Sequence, residues 1–289
     1  MTKRYLLGQI VASMYALVGM RTHSVAGYRN NGQILSIFGH NPSAEVLASL
    51  IKALIKRGFS FVSTDELIAM SNGDTAWSPY TAWLSFDDGW SGFEGNVLPV
   101  LKRYNVPATI FVAPGETARG NIWTNSVMEF ISVEEWTRWY RLPAAERYEK
   151  VEDVLANRNV DRHLADSDEL KRLAGEPLVT LENHTYTHLS CSSRPVDEVA
   201  EEIERTSHVL TEWTGRKPRL CCYPFGHWNA QSDGCIRDLG LIPVKSDPGR
   251  MTLETIGACR NMFHDTMSLS ENLGRVLGAW PKIHSPRVN

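Results

Sequence analysis

Residues 81–113 read TAWLSFDDGWSGFEGNVLPVLKRYNVPATIFVA, and the order of elements within them decides the fold. TAWLSF (81–86) is a strand rich in aromatic and apolar residues. A helix follows, with Val97, Leu98, Leu101 and Tyr104 on one face, and Pro107 stops it. ATIFVA (108–113) is the next buried strand. Strand, helix, strand is a βαβ unit, so its two strands run parallel. Between the first strand and the helix stand Asp87 and Asp88. Adjacent carboxylates repel unless something cationic holds them.

The same alternation continues outward in both directions. GQILSIF (32–38) is a strand. Ser43 then caps a helix with Leu47, Leu50, Ile51 and Leu54 inward, and Gly58 ends it. FSFV is a short strand, and Thr64 starts a helix with Asp65 and Glu66 in its first turn, where negative charge suits the dipole. LVTL (178–181), RLCCY (219–223), LIPVK (241–245) and NMFH (261–264) read as strands. Residues 196–214 form a long helix that Gly215 terminates, and the last helix carries Leu269, Leu273, Val276, Leu277 and Trp280 at helical spacing. Residues 117–176 differ: they are charged and helical, with a capping box at Ser132 and Glu135 and a break at Leu142-Pro143. The expected organisation is one α/β domain, most simply a barrel, over 33–289 with a helical insertion at 117–176, preceded by a helical segment at 1–32.

Composition narrows the class of partner. The chain has 289 residues, 43% hydrophobic and 22% charged, with a net charge of -3. That balance gives no reason to expect nucleic acid. Five scattered cysteines do not form a disulfide framework, and a reducing compartment is the default. YLLGQIVASMYALVGM (5–20) resembles a signal peptide superficially. Gln9 and Ser13 interrupt it and no small-x-small cleavage site follows. It is also short for a bilayer span. The expectation is a cytoplasmic protein whose first helix packs on the domain, with peripheral contact at the inner face of the membrane as the alternative. Nothing in the sequence sets the oligomeric state.

In a parallel α/β domain the ligand site lies at the carboxyl ends of the strands. Asp87 and Asp88 follow one strand, His184 and His188 in NHTYTH follow another, and YPFGHWN follows a third. Three polar clusters distant in sequence therefore meet on one rim. His-x-x-x-His with one carboxylate is a known open site for zinc or a similar divalent metal. One aspartate would bind the ion, and the other would take a proton from water. Each motif alone has a bland reading: a chance histidine pair, a turn at Asp-Asp-Gly, buried strand at Cys221-Cys222. Trp90, Tyr223 and Trp228 are candidate substrate-binding aromatics or core. His40, at a strand end, reads as structural.

These motifs, in this order, resemble the polysaccharide deacetylase family, metal-dependent carbohydrate esterases related to the nodulation-factor deacetylase. LSFDDGW looks like its first motif, HTYTH like its second, and CCYPFG like its third; the likeness covers roughly 33–280. It implies a distorted (β/α)7 barrel and one divalent ion, zinc by preference. It implies Asp87 as general base and Asp88, His184 and His188 as ligands. It implies the Phe225 amide in an oxyanion hole. The substrate implied is a carbohydrate bearing an N-acyl amino sugar, with acetyl or formyl as the acyl group. The chain departs from the pattern in places. Cys222 stands where the third motif often carries an arginine that braces the base. Asp247 is a poor fourth motif. MFHD (262–265) meets the fifth loosely, making His264 the expected general acid, with His284 next. A glycan-binding barrel that keeps the metal but not turnover is the competing expectation.

Overall fold

The computed structural model describes residues 28, 29 and 32–278. The expected helical segment at 1–32 falls almost wholly outside the described residues, as do Trp280 and His284. The strands are β1 (Gln33–Gly39), β2 (Ser60–Phe61), β3 (Thr81–Asp87), β4 (Ala108–Val112), β5 (Val179–Asn183), β6 (Leu220–Cys222), β7 (Ile242–Val244), β8 (Met251–Thr252) and β9 (Asn261–Met262). They form one sheet in the order β7-β6-β5-β4-β3-β1, with β9 parallel and β8 antiparallel along the outer edge of β1. Seven parallel strands, from β9 through β1 to β7, curl into a distorted (β/α)7 barrel wrapped by helices, and the short β2 adds an eighth parallel strand against the start of β3. β7 and β9 do not pair, so the barrel is open there. A bond from the Lys245 amide to the Gly257 carbonyl at 2.7 Å crosses the opening.

Strand parity explains what faces where. Successive side chains on a strand point to opposite faces. On β3, Ala82, Leu84 and Phe86 pack into the large outer core with the helices, while Trp83 packs into a second cluster with Phe111, Cys222 and Val244 inside the barrel. Ser85 and Asp87 share the parity of Trp83 and so enter the barrel interior. All seven residues of β3 are buried, which is why the strand reads as continuously apolar until its last residue.

The helix Ala44–Ile55 forms as expected: Ser43 Oγ accepts from the Val46 amide, and Leu47, Leu50, Ile51 and Leu54 are buried. The expected capping box at Ser132 is half formed. Its hydroxyl accepts from the Glu135 amide, but no return bond from the Glu135 carboxylate is made. A complete box lies at Ser63 and Glu66, so the helix Thr64–Asn72 is capped one residue before Thr64. NMFH shortens to a two-residue strand, because Phe263 turns under Gly39. A Cβ on Gly39 would lie 2.7 Å from that ring.

Between β4 and β5 lie the helices Pro114–Arg119, Trp123–Val127, Val133–Trp139, Ala144–Leu155 and Ser167–Ala174. They carry a small core of their own, including Trp123, Val127, Trp139, Tyr140 and Val151, with Phe225 packed against it. Among the described residues no helix is long and apolar enough to cross a membrane.

Candidate active site

The site is built where β3, β5 and β6 end. Asp88 leaves β3 at φ 76, Thr185 and His188 stand at φ 57 and 50, and Phe225 at φ 60. Four non-glycine residues in the left-handed region, each costing on the order of 1 kcal/mol or more, mark a backbone over-determined by its surroundings. The bonds that hold it are visible. The Asn183 Oδ1 accepts from the Thr185 amide at 2.9 Å, and Thr185 Oγ1 accepts from the Leu189 amide at 2.8 Å. Glu202, from the helix Val196–Thr214, accepts from the amides of Tyr186 and Thr187 at 2.8 and 2.6 Å.

This loop aims two imidazoles at one carboxylate oxygen. His184 Nε2 lies 3.5 Å and His188 Nε2 3.2 Å from Asp88 Oδ1. The Trp90 indole N–H donates to the other oxygen, Oδ2, at 3.2 Å. His184 Nδ1 is 2.8 Å from the Cys222 carbonyl. A carbonyl only accepts, so Nδ1 carries the hydrogen and donates. Burial pushes the His188 pKa down to about 4, further than Asp88 lifts it, so this imidazole is neutral at pH 7. His184 is held above its ordinary value: burial lowers it, and Cys222 and the Asp88 and Asp87 carboxylates more than reverse that. Burial alone would raise Asp88, but its bonds to the two imidazoles hold it well below the carboxylate range. Three donor atoms thus converge on one point, as the ligands of a divalent cation would. The three ligand atoms lie within 4.8 Å of one another. Tetrahedral ligands ~2.0–2.1 Å from a common zinc ion stand ~3.3 Å apart, so the set fits such an ion.

Asp87 is gripped by a residue that sequence reasoning missed. Arg260, fully buried just before β9, donates Nη1 to Oδ1 at 2.7 Å and Nη2 to Oδ2 at 2.8 Å. It also bonds Ser85 Oγ at 2.9 Å, Ser246 Oγ at 3.1 Å and the Lys245 carbonyl at 3.2 Å. Burial raises the Asp87 pKa, but the paired guanidinium outweighs it and the net shift is downward. The apparent absence of a bracing arginine is therefore corrected: it comes from the far side of the barrel. Cys222 Sγ lies 2.7 Å from Arg260 Nη2, so a longer side chain at 222 would occupy the guanidinium's place. The one available signal was an arginine set directly before a buried strand, in CRNMF.

A cleft of about 600 Å³ opens over this centre. Asp87, Asp88, His184, His188, Trp90, Tyr223 and Phe225 all line it. Tyr223 is buried, with its hydroxyl donating to Asp233 Oδ1 at 3.2 Å. The Phe225 ring sits edge-on to His188 at 4.4 Å. His264 and Trp228 are not among the lining residues. His264 is exposed, with Nδ1 taken by Thr266 Oγ1 at 2.9 Å. Trp228 donates to Asp247 Oδ2 at 2.8 Å, and Lys245 Nζ lies 3.4 Å over its ring. His40 does line the cleft. Gly39 pairs with Phe86 across β1 and β3, so His40 and Asp87 leave neighbouring strands at the same level. Its position one residue past β1 was the only clue in sequence, and nothing there tied β1 to the other motifs.

The polysaccharide deacetylase family model matches residues 76–244, more than half of the chain. No curated protein matches significantly. Among solved structures, the Streptococcus pyogenes deacetylase PplD in complex with acetate superposes with a TM-score of 0.63 at 16% identity, covering 84% of this chain and 98% of that one. The deacetylase domain of BpsB from Bordetella bronchiseptica gives 0.60 at 18%, covering 80% and 96%. IcaB from Ammonifex degensii gives 0.59 at 16%, covering 86% and 98%. At these identities the structures speak for the fold, and the family model speaks for the lineage. The chain belongs to the polysaccharide deacetylase family, and the activity that membership supports is carbohydrate deacetylation.

Proposed function

We propose that the protein hydrolyses an N-acyl group, acetyl or formyl, from an amino sugar, using one divalent ion, zinc by preference, held by Asp88, His184 and His188. The single observation that carries this is the pairing of that ligand set with a buried carboxylate, Asp87, fixed by both nitrogens of Arg260. When bound, the ion supplies Lewis-acid chemistry: it polarises a carbonyl and acidifies water. Asp87 accepts the proton of the attacking water. Arg260 keeps it ionised and oriented for that task. The Phe225 amide, at the mouth of the cleft, donates to the developing oxyanion. His40 protonates the leaving amine, since it lines the cleft at the level of Asp87 and His264 does not line it. Trp90 and Tyr223 shape the sugar's seat.

A barrel that binds glycan without turnover was motivated by the missing arginine and the unassigned general acid; Arg260 removes the first ground, and the second is tested through His40. Five free cysteines, four of them buried, suit a reducing compartment and support a cytoplasmic location. The test is metal analysis of the purified protein, joined to measurement of acetate and formate released from a panel of N-acylated amino sugars. Asp87→Asn should retain the metal and lose ~10² to 10⁴ in rate. Release of neither acid from any sugar, or near-normal turnover by the variant, would overturn the proposal.

A further inference from the structure

The cleft contains one charge that the hydrolysis does not use. Among the described residues its lining carboxylates are Asp87 and Asp88. Both are compensated, the first by Arg260 and the second by two imidazoles. Arg275 also lines the cleft, reaching in from the helix Leu269–Val276. It is half-buried, and its one hydrogen bond runs to the Met267 thioether at 3.7 Å. A thioether is a weak acceptor, so among the described residues the guanidinium meets no anionic partner.

A position in the last helical turn gives Arg275 a favourable dipole interaction of roughly 0.3–1 kcal/mol. That effect is the same with the side chain in open water, so it does not account for a guanidinium in the cleft. The cleft it lines also carries apolar side chains, among them Phe38, Pro248 and Met262. A half-buried guanidinium gains most from a bidentate oxyanion.

We propose that Arg275 binds an anionic group, a phosphate or a carboxylate, carried by the amino-sugar substrate. The inference rests on the deacylase reading, and it adds that the preferred sugar is acidic rather than neutral. A protein of net charge -3 would then present its uncompensated positive charge at the mouth of its own site.

Binding separates this proposal from turnover. Asp87→Asn protein, loaded with metal, is titrated calorimetrically with N-acetylglucosamine, with its 1-phosphate and 6-phosphate, and with an N-acetylated aminouronic acid. The three anionic ligands distinguish phosphate from carboxylate and one attachment point from another. At least one should bind about tenfold more tightly than the neutral sugar, an advantage of ~1.4 kcal/mol. Arg275→Ala in the same background should erase that advantage, and Arg275→Lys should restore part of it. Equal affinity for neutral and anionic sugars would overturn the proposal. So would an anion preference that survives Arg275→Ala, because the anion would then be on the metal or elsewhere. If the Arg275-dependent preference holds while the wild type releases no acid from any sugar, the anion site stands and the deacylase reading falls.

Discussion

Asp87 and Asp88 differ in chemistry because strand parity sends them to different partners. Asp87 is the last inward-facing residue of β3 and meets Arg260 inside the barrel; Asp88, turned out at φ 76, meets the imidazoles. On the proposed reading, the guanidinium sets the pH at which Asp87 serves as the base. Burial raises its pKa and Arg260 lowers it further, so removing the fork lets the pKa rise. Activity requires the carboxylate, so it is lost as pH falls through that pKa. Arg260→Lys keeps the charge without the paired geometry, and the acid limb of kcat/KM should move to higher pH. A limb that stays in place would separate Arg260 from the base. The proton donor is tested at the same scale. His40→Ala should lower amide hydrolysis by ~10² or more, while an activated ester, whose leaving group needs no proton, suffers far less. His264→Ala should leave both substrates nearly untouched. The reverse pattern would return the role to His264.

The helices between β4 and β5 are tied to the loop that carries His184 and His188 by buried charge. Arg147, fully buried on the helix Ala144–Leu155, donates from Nη2 to the Thr187 carbonyl at 3.0 Å and to its hydroxyl at 2.8 Å. Thr187 directly precedes His188. The neighbouring Tyr148 hydroxyl donates to Glu116, whose carboxyl is buried on the helix Pro114–Arg119. The helical character of this segment was legible in its charge pattern. Its buried contacts were not, because AAERYEKVEDVL reads as a solvated helix and the partners lie some forty residues away. Burial lifts the Glu116 pKa from 4.5 to about 8, with Tyr148 and Arg147 opposing it. Between those two values the unfolded chain ionises and the folded one does not, so stability falls as pH rises across that window. The contribution of Glu116 is therefore full below about 4.5 and is lost as pH rises through about 8. At ~1.4 kcal/mol per pKa unit the whole effect reaches ~5 kcal/mol. Glu116→Gln cannot ionise, so urea midpoints at pH 5 and pH 8.5 should lie closer together in the variant than in the wild type. Parallel pH profiles for the two proteins would show that Glu116 is ionised in the fold.

At the scale of the whole barrel, what the sequence disclosed followed from local order. β1, β3, β4, β5 and the helices between them come from apolar period and caps, and the ligand set comes from strand ends. The closing side was only partly legible. β9 was read within NMFH, but β8, two residues long, is too short for any periodic signal, and Arg260 reaches Asp87 across 173 positions of chain. That side is where the barrel is open, and its geometry depends on Gly257. This glycine stands at φ 81, and a Cβ there would lie 2.3 Å from the Pro243 carbonyl oxygen. Its own carbonyl accepts the Lys245 amide across the opening, and Arg260 follows three residues later. Gly257→Ala therefore meets both a disfavoured φ and a backbone clash, at a cost of roughly 1–3 kcal/mol. The shift should also pull Arg260 from Asp87 and lower kcat without loss of the metal. Gly234 is the control. It lies inside the helix Ala230–Asp238 with nothing within 4 Å of a built Cβ, so Gly234→Ala should stabilise by about 0.4–1 kcal/mol. Urea denaturation of both variants beside the wild type measures the contrast. Two alanines of equal effect would mean that the opening between β7 and β9 does not depend on Gly257.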